Sequence, residues 1–151
     1  GDVYKRQIYR PLNNFLMNRK IEKIRINHIC KKQIKKGKSG TRDVLKYLNQ
    51  GTSIALMIDQ RVSEGKKIKF FNKFAFTTTI PAQIVTKYEC VVIPIYIERY
   101  NKYYFKMKIS KPLNLSKNDS LEFISEKLNN LLEKMIMRNP SQWIWSHNRW
   151  K

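Results

Sequence analysis

The chain closes on Pro140-Ser-Gln142-Trp143-Ile-Trp145-Ser-His147-Asn-Arg149-Trp150-Lys151, which gathers more chemistry than any other stretch. All three tryptophans and one of the two histidines fall inside it, with Arg149 and Lys151 close behind. Aromatic faces beside fixed cations can line a wall that is apolar on one side and grips anions on the other. The same residues equally suit a C-terminal segment that packs its tryptophans onto the domain. A second polar group, Asp59-Gln60-Arg61, follows the apolar run over residues 53–58. Open α/β sheets hold their ligands at the carboxyl ends of their strands, so this junction is a candidate site.

Other chemistries find little support. Cys90 opens an apolar stretch among valines, and Cys30 has His28 only two residues away. Residues two apart on a helix do not face each other, so Cys30 and His28 make a poor nucleophile–base pair. Two separated cysteines and two separated histidines form no metal-type spacing, and read as reduced thiols. Phosphate-loop, dinucleotide and RNA-recognition signatures are missing from the sequence.

The elements that must position these residues follow from the pattern. Tyr9-Arg10-Pro11 marks a strand-to-helix junction, because proline disfavours helix at Arg10. Asn13 or Asn14 can cap the following helix over residues 15–25, whose apolar side is Phe15, Leu16, Ile21 and Ile24. Residues 31–40 read as a basic loop with two glycines. Thr41 then caps a short helix with Val44, Leu45 and Leu48 inside, stopped by Gly51. Residues 53–58 predict a strand covered on both faces. Residues 66–79 read as a basic, aromatic loop, and Pro81 starts a helix with Ile84, Val85 and Tyr88 inside. Residues 91–97 and 103–109 predict an antiparallel hairpin turning at Tyr100-Asn101-Lys102. Asp119 with Glu122 caps the last helix, whose period runs through Leu121, Ile124, Leu128, Leu131, Leu132 and Met135. Strands alternating with helices plus one antiparallel turn imply an α/β protein: an αβα sandwich with a mixed, mostly parallel sheet.

The ordered blocks resemble the late acyltransferases of lipid A biosynthesis, the lauroyl/myristoyl transferase family of the glycerolipid acyltransferase superfamily. The blocks are Tyr9-Arg10-Pro11-x-Asn13-Asn14; Arg25 fifteen residues after Arg10; Gly51 before the apolar run ending in Asp59-Gln60; Phe70-Phe71 ahead of Thr77 to Thr79 and Pro81; Ile93-Pro94; and the closing Trp/His/Arg block. Each is weak alone, and the ordered set is specific.

That resemblance implies transfer of a fatty acyl chain from acyl carrier protein to a hydroxyl of a phosphorylated glucosamine lipid. It implies no cofactor beyond the acyl-carrier co-substrate, no metal and no nucleic-acid partner. The family's general base is a histidine five residues before an acid, which orients and charge-stabilises the imidazole. Here Gln33 stands five after His28, and the chain ends four residues after His147, so neither histidine fits. In the family that dyad precedes the Arg-Pro block, so it is expected upstream of residue 1. Residues 1–7 are expected to be a non-native scar, and residues 8–151 the C-terminal portion of one N-terminally truncated acyltransferase domain, a fragment expected to be inactive alone. Arg25 matches an arginine that holds a substrate phosphate, a task suited to bidentate geometry. Asp59 and Gln60 match residues that position donor or acceptor, and Arg10 and Asn13 belong to the same substrate-binding set. Arg149 and Lys151 are expected to clamp anionic substrate, Trp143 and Trp145 to support the site, and His147 to be structural. The location implied is the cytoplasmic face of the bacterial inner membrane.

Bulk properties agree with an anionic partner without naming it. At 151 residues the chain can bury a core, and its net charge is +20. Such a field suits acyl carrier protein, phosphorylated lipid or an anionic membrane surface. It also permits two rivals, a nucleic-acid-binding module and a non-catalytic lipid-binding fragment. Phe70, Phe71, Phe74 and Phe76 among Lys66, Lys67, Lys69 and Lys73 could meet a bilayer interface, where each cation adds about 1 kcal/mol. The phenylalanines could equally be core. No apolar run approaches the roughly 20 residues of a membrane-spanning helix.

Overall fold

The computed structural model describes residues 5–9, 11–31, 33–35, 38–62 and 65–150. Arg10 and Lys151, both expected to bind substrate, lie outside the described residues, as do residues 1–4 of the expected scar. The α/β class holds, and the chain divides into two compact units, residues 1–57 and 58–151.

The first unit is built on a parallel sheet. Strand β1 (Lys5–Tyr9) lies between β2 (Gln33–Lys35) and β3 (Ser53–Ala55), all three parallel. Helix α1 (Phe15–His28) connects β1 to β2, and α2 (Lys38–Asn49) connects β2 to β3. Asn14 caps α1 by accepting the Met17 amide, as its position predicts. The helix runs one turn further than the apolar pattern suggests and buries none of its residues, so Phe15, Leu16 and Ile24 are exposed.

Three expectations for this unit need correction. Residues 31–40 are not simply a loop, because β2 pairs with β1 there and α2 begins at Lys38. Thr41 therefore lies inside α2 rather than capping it. Gly51, at φ +71°, does end the helix, with its amide bonded to Leu48 and that of Thr52 to Tyr47. Lastly, β3 stops at Ala55, and Ser53 and Ala55 are exposed, so it is not covered on both faces. Gly40 is fixed by contact: a Cβ there would stand 1.9 Å from the Lys35 carbonyl oxygen.

The second unit packs a hairpin and two helices. Strands β4 (Lys66–Phe70) and β5 (Lys73–Thr77) pair antiparallel, which corrects the loop expected over residues 66–79. Ile68, Phe70, Ala75 and Thr77 form its buried face, while Lys67 and Lys69 occupy the other side with Phe74 and Phe76. Helix α3 (Ile80–Tyr88) starts with Pro81 in its first turn and buries Ile84 and Val85, while Tyr88 is half-buried.

Strands β6 (Ile95–Asn101) and β7 (Tyr104–Ile109) make the expected hairpin, but residues 91–94 are not strand. Ile95, Ile97, Met107 and Ile109 share one exposed face of it. Helix α4 (Leu121–Ile136) is capped by Ser120, whose hydroxyl accepts the Phe123 amide. Asp119 instead accepts the Ser116 amide, so the capping residue lies one position later than expected. Parallel and antiparallel pairing are thus both present, in three separate sheets among the described residues. Among the described residues, no helix is long and apolar enough to cross a membrane.

Candidate functional site

In the second unit the closing block folds onto the β4–β5 hairpin and α4. Phe70 is fully buried, and its ring centroid stands 5.6 Å from that of Trp150 and 5.8 Å from that of Trp143. Trp150 Nε1 donates to the Phe70 carbonyl at 3.0 Å. Core packing is therefore the role of Phe70, whereas Phe74 is exposed among lysines. Trp145 lies at the surface, with its Nε1 donating to the Pro140 carbonyl at 2.8 Å. His147 is exposed, and its amide donates to the Ile144 carbonyl.

Arg149 sits at the centre of this arrangement, only 1% exposed. Its Nη2 donates to Asn129 Oδ1 at 2.9 Å and to Thr77 Oγ1 at 3.4 Å, and its guanidinium lies 4.2 Å from the Phe70 ring centroid. Asn129 Nδ2 in turn donates to the Lys69 carbonyl at 2.9 Å and to Thr77 Oγ1 at 3.1 Å. Burial pulls the Arg149 pKa down, and the carboxylates of Asp59 and Glu133 oppose that shift. Nε and Nη1 of Arg149 and Oδ1 of Asp59 are buried without hydrogen-bond partners. Asp59 is half-buried and Gln60 exposed, in a bend four residues beyond the end of β3.

Arg25 anchors a different cluster, in the first unit. Its guanidinium lies over the Tyr9 ring, 5.0 Å from the centroid, and its Nη1 is buried without a partner. The Tyr9 hydroxyl donates to Glu22 Oε1, which also accepts from Asn18 Nδ2 at 3.0 Å. Lys35 Nζ stands 3.8 Å from the same carboxylate. Burial and the Glu22 hydrogen bond push the Tyr9 pKa up to about 12. The same bond, with that from Asn18, holds Glu22 below the usual carboxylate range. Asn13 is exposed, one residue before the cap.

The family model described as bacterial lipid A biosynthesis acyltransferase matches residues 5–151. The chain belongs to that family. No curated protein matches it. The match takes in Arg25, Asp59-Gln60 and the closing Trp/His/Arg block within one span. It also takes in Lys5, Arg6 and Gln7, which β1 pairs with β3, although they fall in the stretch expected to be a scar.

Within the family framework, Cys90 is no candidate nucleophile, since burial pushes its thiol pKa up. Sequence reading missed Tyr9 and Glu22 as partners of Arg25, and Asn129, Thr77 and Glu133 as partners of the closing block. For Glu22 a signal existed. Asn18, Glu22 and Arg25 recur at helical spacing on α1.

Proposed function

We propose that this acyltransferase chain moves a fatty acyl group from acyl carrier protein to a hydroxyl of a phosphorylated glucosamine lipid during lipid A assembly. The observation that carries the reading is the single family match over residues 5–151, which spans both clusters. A thioester donor is already activated, so the reaction needs a base for the hydroxyl and a grip on the two substrates, with no covalent enzyme intermediate.

In this reading Arg25 and Arg10 meet the acceptor phosphate. Asp59 and Gln60 orient substrate beside the base, and Asn13 completes the set. Arg149 acts from the interior: its bonded edge fixes the hairpin, and its charge lies in the field of the Asp59 and Glu133 carboxylates. Lys151 adds positive charge at the end of the block. A net charge of +20 suits both the acidic carrier protein and an anionic membrane surface, which supports a location at the cytoplasmic face of the inner membrane.

The test is to express the reading frame that encodes this chain in cells lacking one late acyl transfer and to weigh their lipid A. One added acyl chain is the expected result. An unchanged lipid A mass, with the protein present at normal level, overturns the proposal.

A further inference from the structure

We propose that the cleft formed by β1, α1, β2 and α2 is a phosphate-monoester site in which Tyr9 and Glu22 are positioning residues that set the guanidinium of Arg25. The inference rests on the reading of Arg25 given above and deepens it.

The cleft has a volume of about 360 Å³ and is lined by Tyr9, Glu22, Lys31, Gln33, Lys35 and Tyr47, among others. That size falls at the low end of the roughly 300–1,000 Å³ typical of ligand sites. Lys31 and Lys35 line the cleft, and Arg25, just outside the lining, lies over the ring of Tyr9 that does line it, so three cations are gathered at a cleft whose lining holds the single carboxylate of Glu22. Two donors of the cluster, Arg25 Nη1 and Gln33 Nε2, are withdrawn from water and have no partner. Buried donors without acceptors are costly, and an anion supplies the missing acceptors.

Glu22 itself is a poor contact for an anion and a poor base. One of its oxygens already accepts from the Tyr9 hydroxyl and from Asn18, with Lys35 close by. What it does is hold the Tyr9 ring, and the ring holds the flat guanidinium against its face. The order is Asn18 to Glu22 to Tyr9 to Arg25, which ties a mobile side chain to a strand and thereby reduces the entropy lost on binding. A phosphate can come from a lipid headgroup or from solution, and the chemistry recognised is the same.

Electrostatics and positioning predict opposite signs for Glu22→Gln. Removing a negative charge beside an anion site tightens binding if charge alone matters. If Glu22 positions Arg25, binding weakens. The experiment titrates the chain with inorganic phosphate followed by phosphorus NMR, and in a second arm with a phosphorylated glucosamine lipid in neutral detergent micelles. Helical circular dichroism checks folding, and Glu126→Gln, an exposed change on α4, is the charge control.

Expected are about tenfold weaker phosphate binding for Glu22→Gln, which keeps an acceptor but loses its charge, and about fivefold for the near-isosteric Tyr9→Phe, each about the worth of one ordinary hydrogen bond. Arg25→Ala should abolish binding in both arms. Binding lost with Arg25→Ala but unmoved or tightened by the other two variants overturns the positioning role and leaves the Arg25 reading intact. Binding indifferent to Arg25→Ala overturns both. Should Glu22→Gln fail to fold, Tyr9→Phe decides alone. Loss only in the micelle arm overturns a phosphate site in favour of lipid contact elsewhere.

Discussion

Arg149 Nη2 donates to Asn129 Oδ1 at 2.9 Å, and both residues are 1% exposed. This one contact fastens the closing block to α4, and Asn129 extends it to the β4–β5 hairpin through the Lys69 carbonyl and Thr77. Three segments distant in sequence therefore share a buried polar node. Such a node stabilises while it is complete and penalises the loss of any one member.

Asn129→Ala is expected to destabilise the second unit by about 2–4 kcal/mol. The change strips an acceptor from a buried guanidinium and leaves a backbone carbonyl without its donor. Asn129→Asp should cost less, since a carboxylate still accepts from Arg149. Urea midpoints followed by tryptophan fluorescence check both, because all three tryptophans lie in the closing block. Equal midpoints for wild type and Asn129→Ala would show that the node carries no stability.

Trp150→Phe separates the ring from its N–H. The stacked contact with Phe70 is largely kept, while the 3.0 Å bond to the Phe70 carbonyl is lost. The expected cost is about 1 kcal/mol, against about 3–5 kcal/mol for Trp150→Ala, which also opens a cavity. Thermal melts of the two variants give the comparison, and equal losses would mean that the hydrogen bond, and not the ring, dominates.

How far this arrangement was legible in the sequence depends on what each residue's signal was about. Pro81 and the Leu/Ile period of residues 121–136 announced α3 and α4, because capping and amphipathic period are local properties. The β4–β5 hairpin was obscured by its lysines, which suggest a solvated loop, although Ile68 and Phe70 alternate with them as a half-buried strand requires. Strand β2 has three residues and no pattern that could reveal it. In the candidate site, Arg25, Asp59 and Arg149 stood out by motif. Asn129 did not, since an asparagine between leucines on a helix looks like its wet edge until Arg149, twenty residues on, comes to meet it.

Glu133 controls the turn of the hairpin. Phe71 and Asn72 both take positive φ, 48° and 59°, between the paired residues Phe70 and Lys73. A phenylalanine in that conformation is strained by about 1–2 kcal/mol. Its amide donates to Glu133 Oε1 at 2.7 Å, and its ring meets Phe70 at 4.8 Å. Glu133→Ala should cost about 1.5–3 kcal/mol, and Glu133→Gln less than half of that, because the amide oxygen still accepts. Hydrogen exchange at the Phe71 amide is the direct measure: rapid exchange in the alanine variant and retained protection in the glutamine variant are expected. Unchanged protection in both would detach Glu133 from the turn.

The Tyr9 hydroxyl gives the first unit a pH signature with a definite sign. Its pKa is raised from 10.0 to about 12, first by burial and then by Glu22, so the folded state favours the protonated phenol. The stabilisation is fully present below pH 10, declines as pH rises above it, and is gone once pH passes about 12. Absorbance at 295 nm should show late ionisation among the eight tyrosines, and Tyr9→Phe should remove the component that belongs to Tyr9. Glu22→Gln should shift the step toward pH 10, since it removes the negative charge while leaving the ring buried. Tyr96 is also pushed upward, by burial and the Glu98 carboxylate, so its own late component survives Tyr9→Phe. A difference titration of wild type against Tyr9→Phe that lacks a late component would remove the physical basis of the link from Tyr9 through Glu22 to Arg25.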